Sequence, residues 1–129
     1  MMIEAAAVAF ALFSAVVVAF QLALARGAPG GESALGGRFP GRFPPAMRVA
    51  AVVQAAVIAG LAVVVLSRAG VVVPALTAGA GWLGWVPVAF SAVSVVMNAV
   101  SPSLAERRRW VPIGVVMLAT SFVVAASAG

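Results

Sequence analysis

The stretch VAAVVQAAVIAGLAVVVLS, residues 49–67, decides how the chain folds. It holds one amide, Gln54, and no charge, yet an arginine stands on either side of it, Arg48 and Arg68. At about 1.5 Å of rise per residue, a helix of this length covers a hydrocarbon core of roughly 30 Å. Valine is a poor helix former in water, but in lipid the backbone must satisfy its own polar groups, and a helix does so. The stretch therefore predicts a membrane-crossing helix.

Working outward, three further blocks have the same character: residues 5–25, 82–100 and 110–128. Of the 129 residues, 64% are hydrophobic and only 9% charged, with mean hydropathy +1.19. A soluble domain is roughly half apolar and about a quarter charged, so too few charges remain here to cover a water-facing surface. The expected fold is all-α: a transmembrane antiparallel four-helix bundle, up-down-up-down, forming a single domain over residues 1–129. The first block opens with Glu4 and meets its first arginine, Arg26, only after the apolar run. That is the reverse of a secretory signal, so an uncleaved helix is expected. Residues 69–81 are apolar but carry Pro74 and three glycines, which fits a hydrophobic surface loop or an extension of the third helix. Heavy use of Ala, Val, Gly, Pro and Arg suggests a GC-rich bacterium and its inner membrane.

The basic charge comes entirely from arginine, and seven of the eight arginines fall in two connections. Arg26, Arg38, Arg42 and Arg48 occupy residues 26–48, and Arg107, Arg108 and Arg109 occupy residues 101–109. The positive-inside rule places both connections in the cytoplasm and both termini outside, in a multi-pass protein of the cell membrane. Trp82 and Trp85 then mark one interface and Trp110 the other. In the first connection, GRFPGRFPPAMR, residues 37–48, prolines bar a continuous helix. Arg38, Arg42, Arg48, Arg107, Arg108 and Arg109 are expected to hold lipid phosphates, each contributing about 1 kcal/mol near the surface. Phe39 and Phe43 are expected to dip between headgroups. A Pro-rich docking site for a partner protein is the sharper alternative for this loop.

Two patterns lie inside the apolar blocks. Gly84, Pro87, Ser91, Ser94, Asn98 and Ser101 recur at steps of three and four, which sets them on one stripe of the third helix. Gly84, Ser91 and Ser94 in particular suggest a helix-packing seam, matched by Ala51, Ala55, Ala56, Ala59 and Gly60 on the second helix. The other reading is one wall of a polar path. Gln21, Gln54 and Asn98 fall within roughly 3–8 Å of the cytoplasmic interface. They form a candidate polar intramembrane cluster, expected to share hydrogen bonds or meet entering water. At the last connection, either Ser101 before Pro102, or Ser103 with Glu106, fits a helix start. Glu106 there suits the positive helix end and can pair with an arginine.

These two connections together resemble a pattern of small four-span bacterial membrane proteins of unassigned function. A Gly-Arg-x-Pro…Arg loop precedes the second helix, and Asn-x-x-Ser-x-Ser-x-x-Glu-Arg precedes the fourth. The resemblance carries over no catalytic residue.

Chemistry bounds the function further. The chain has no cysteine or histidine, and its only acids are Glu4, Glu32 and Glu106, all expected at or outside the interfaces. No set for acid–base catalysis, metal ligation or cofactor binding is apparent, so no enzyme is expected. The expected role is structural or accessory: stabilising a membrane complex or binding anionic lipid. The alternative is a small oligomeric transporter or channel using the polar seam on the third helix, with a passive pore lined by Ser91, Ser94 and Asn98. A proton-coupled exporter is disfavoured for want of a buried carboxylate. Expected partners are the bilayer and anionic phospholipid headgroups, with a homo-oligomer or larger membrane complex as protein partner and no nucleic acid.

Overall fold

The computed structural model describes residues 2–128. Four long helices carry the chain: α1 (Met2–Ala25), α2 (Pro45–Arg68), α3 (Trp85–Ala99) and α4 (Leu104–Ala128). No strand occurs among the described residues. Each helix is long and apolar enough to cross a membrane, α3 when taken with the 3-10 turn Gly81–Gly84 that leads into it. The fold is an all-α four-helix bundle suited to a bilayer.

Local chemistry sets the helix ends. Both α1 and α2 stop at a glycine in the left-handed region, Gly27 at φ 89° and Gly70 at φ 77°. That conformation lets the following N–H reach back into the last turn, Ala28 to the Ala23 carbonyl (3.0 Å) and Val71 to the Leu66 carbonyl (2.9 Å). At its start α2 uses Pro45, earlier than residue 49, because proline's fixed φ suits a first turn. Arg48 therefore belongs to the helix. Likewise α3 begins at Trp85, which leaves Pro87 in its first turn, where a missing N–H costs nothing. Of the two starts open to α4, the chain uses Ser103, whose Oγ accepts the Glu106 N–H at 3.2 Å. Ser101 Oγ instead accepts the Ser103 N–H at 3.1 Å.

Between α2 and α3 the chain makes a 3-10 turn, Pro74–Leu76, before the turn that opens α3. Ser67 Oγ bonds Thr77 Oγ1 at 2.8 Å beneath it. Arg68 donates to the Thr77 carbonyl (3.3 Å) and to the Ala128 carbonyl (3.1 Å), tying the end of α2 to the end of α4.

Helix α1 lies along both α2 and α4, α3 lies along α4, and α2 and α3 barely touch. Ala7, Phe10, Val65, Met117 and Val124 form the core where α1, α2 and α4 meet. The inward stripe of α2 is Ala51, Ala55, Ile58, Leu61 and Val65, at the three-and-four spacing of a helix face. Ala56, Ala59 and Gly60 point outward, so the small face expected to meet α3 is not used for that contact. The close approach of α3 comes from α4 instead. A Cβ on Gly114 would sit 2.9 Å from Val95 Cγ2, so a larger residue there would have to displace the Val95 side chain or part the two helices.

Candidate functional site

The sparse contact between α2 and α3 leaves space. A cavity of about 640 Å³ lies between the helices and runs from the α1–α2 connection to mid-helix, where Ile58 and Met117 line it. Beyond that depth the core around Phe10 and Val65 fills the bundle. The cavity is therefore blind, occupying one half of the helices' length. Val93, Met97 and Val100 line it while remaining 63%, 64% and 71% exposed, so it opens sideways between α2 and α3.

All three amides read from the sequence lie on its wall: Gln21 from α1, Gln54 from α2 and Asn98 from α3. They do not bond one another among the described residues. Asn98 Nδ2 donates to the Ser94 carbonyl one turn back, at 2.8 Å. The cavity holds the amides apart, and mutual hydrogen bonding gives way to polar groups facing a shared space.

The stripe on α3 divides. Gly84 packs on the Arg68 side chain, where a Cβ would lie 3.3 Å from Cγ. Ser91 and Ser94 line the cavity rather than a contact with α2. Ser91 is 3% exposed, and its Oγ has no hydrogen-bond partner. A buried hydroxyl without a partner is uncommon and costs about 1–3 kcal/mol.

The α1–α2 connection forms the roof. Gly30 and Gly31 both donate to the Gly41 carbonyl, at 3.1 and 2.8 Å, and Glu32 returns the contact by accepting the Gly41 N–H at 3.2 Å. The Glu32 carboxylate is held below its usual range by backbone N–H groups, first its own and then that of Gly41. Phe43 is 3% exposed and clusters with Leu24, Ala34 and Ala51. Phe39 meets it edge-on at 6.1 Å between ring centroids. These phenylalanines fold inward to close the end of the bundle and do not reach for headgroups.

The two arginine-rich connections meet over this roof. Ser103 Oγ donates to the Glu32 carbonyl, the Gly36 N–H donates to Glu106 Oε2 at 3.2 Å, and Trp110 Nε1–H donates to the Ser33 carbonyl at 2.7 Å. Trp110 is buried, its ring 4.7 Å from that of Phe20. It anchors the roof, its indole turned into the protein. Glu106 is 7% exposed and lines the cavity. Glu106 stands in the first turn of α4, and the α1–α2 connection packed over that turn encloses it in protein. No arginine pairs with it within 4.0 Å among the described residues, since its carboxylate is turned to Gly36.

The six arginines expected at headgroups also divide. Arg38, Arg42, Arg108 and Arg109 are exposed, and Arg109 lies over the Phe20 and Trp110 rings at 5.8 and 5.9 Å. Arg48 and Arg107 are half-buried and serve the fold. Arg48 Nε donates to the Phe43 carbonyl at 2.8 Å, and Arg107 donates to the Ser101 carbonyl.

The sequence marks Glu106 as a helix-start residue but not as part of a cavity wall, because its burial comes from the α1–α2 connection packing over it. Ser33 and Gly36 carry no such signal, since their roles arise from main-chain atoms. No protein-family model matches the chain, and it matches no curated protein and no solved structure.

Proposed function

We propose that this chain is an accessory protein of the cell membrane that threads the bilayer up-down-up-down. Both arginine-rich connections lie at the cytoplasmic leaflet, both termini lie outside, and the exposed guanidinium groups hold anionic phospholipid. In that role it stabilises a larger membrane complex or an assembly of its own copies. One observation carries the proposal: the connections, far apart in sequence, meet through Ser103–Glu32, Glu106–Gly36 and Trp110–Ser33. Their meeting gathers Arg38, Arg42, Arg108 and Arg109 at one end of a bundle whose flanks are apolar. A guanidinium fork donates two parallel N–H bonds to a pair of phosphate oxygens.

The alternative, a small transporter or channel using the polar seam on α3, has support in the polar lining of the cavity. Against it stands the cavity's depth, which ends at mid-helix.

The test is lipid retention by the purified protein in mild detergent. Phosphatidylglycerol should be retained in preference to phosphatidylcholine. Changing Arg38, Arg42, Arg108 and Arg109 together to Gln should weaken that retention at least tenfold, given about 1 kcal/mol per arginine near a charged leaflet. Equal retention of the two lipids by the unaltered protein would contradict the proposal.

A further inference from the structure

The cavity has a polar end and an apolar end, and its polar end is chemically selective. At about 640 Å³ it falls within the roughly 300–1,000 Å³ typical of small-molecule sites. Ile58, Phe90 and Met117 line its deep part, whereas Gln21, Gln54, Asn98 and Glu106 lie toward the roof. Two of its groups are buried and still short of partners. Ser91 Oγ has none at all, and only Oε2 of the Glu106 carboxylate receives a donor, the Gly36 N–H. With a lateral opening between α2 and α3, the accessible supply of ligands is the bilayer itself.

We infer that the cavity binds an uncharged acyl lipid whose head carries hydroxyl groups, a monoacylglycerol being the simplest such molecule. This goes beyond the anionic-lipid role of the exposed arginines and concerns a different part of the molecule. The charge of the head follows from what surrounds it. A phosphate entering the cavity would meet the Glu106 carboxylate at short range in a low-dielectric space, where like charges repel strongly. A quaternary ammonium carries no N–H or O–H to give the Glu106 carboxylate or the amide oxygens. A hydroxyl meets neither obstacle. It donates to Glu106 and accepts from the Gln21 or Gln54 amide, while an ester carbonyl accepts from a second amide or from Ser91. The acyl chain takes the apolar depth, which lipid-facing Val93 and Met97 connect to the surrounding membrane.

The chain's three tryptophans allow a direct test, because only Trp110 lines the cavity. In a Trp82→Phe/Trp85→Phe background, the detergent-solubilised full chain is titrated with a monoacylglycerol brominated on its acyl chain. Fluorescence of Trp110 should be quenched saturably. The matching brominated lysophosphatidic acid and brominated alkyltrimethylammonium should each need at least tenfold higher concentration. Glu106→Gln keeps a hydrogen-bond acceptor and removes the charge. It should leave the neutral lipid within about threefold and bring the lysophosphatidic acid to within about threefold of it. Asn98→Leu, checked for unchanged helicity and elution volume, should weaken the neutral lipid at least tenfold. Quenching by a charged amphiphile at or below the neutral lipid's concentration overturns the inference. So does a Glu106→Gln protein that still rejects the phosphate. Neither outcome touches phosphatidylglycerol retention at the exposed arginines, which is read separately.

Discussion

Replacing Gly31 with alanine is expected to dismantle the roof of the cavity. A Cβ at this position would lie 1.7 Å from the Phe39 carbonyl oxygen and 2.9 Å from that of Gly41. Ordinary overpacking costs about 1–3 kcal/mol when side chains can shift. Here the obstacle is backbone, and it is held: the Gly41 carbonyl accepts both the Gly30 and Gly31 N–H groups. The cost should reach about 3 kcal/mol or more, at the top of that range. The readouts are thermal unfolding in detergent and cleavage by an arginine-specific protease at Arg38 and Arg42, which should become much faster. Gly41→Ala is the control. It meets nothing within 4 Å but has φ +76°, so it should cost only about 1–2 kcal/mol for the left-handed backbone. A Gly31→Ala protein no less stable than Gly41→Ala would contradict the close packing of the loop.

Removing Trp110 should destabilise the bundle by about 3–5 kcal/mol when it becomes alanine. The indole fills the space beside Phe20 and supplies the hydrogen bond to Ser33 that fastens the roof to α4. Trp110→Phe separates the two contributions. It keeps a ring against Phe20 but leaves the Ser33 carbonyl, on a buried residue, without its donor, a loss of about 1–3 kcal/mol. Thermal unfolding should rank the proteins native, Phe, Ala, with protease cleavage in the connection rising in the same order. If Trp110 sat instead at the membrane interface, phenylalanine would be nearly neutral and the loop would be cleaved no faster.

What the sequence disclosed is the part governed by the solvent. Apolar blocks long enough for a bilayer, bounded by arginine, glycine and proline, gave the four helices to within a few residues at most ends. The start of α4 was legible ahead of its apolar block, in Ser103 with Glu106 three residues on, so Arg107, Arg108 and Arg109 ride on the helix. Where tertiary packing decides, position along the chain was a poor guide. Trp110, Phe39 and Phe43 stand where interfacial aromatics would stand, yet all three turn toward the protein, because the α1–α2 connection supplies a surface that linear distance does not reveal. Arg48 and Arg107 were grouped with the exposed arginines for the same reason. The stripe on α3 was visible as a period, but a period cannot say whether small polar residues press against a neighbour or face a gap. Gly114, not that stripe, admits α3 to α4. The three amides line one cavity, and that cavity follows from how little α2 and α3 touch.

The central claim is that lipid surrounds these helices while both arginine-rich connections meet on one side of it. Since the native chain has no cysteine, single cysteines can be placed at Arg42, Arg108 and Val72 and probed with a membrane-impermeant maleimide in intact cells. The account predicts that Arg42→Cys and Arg108→Cys are labelled only after the cells are opened, and that Val72→Cys is labelled before. Opposite behaviour of positions 42 and 108 would contradict it.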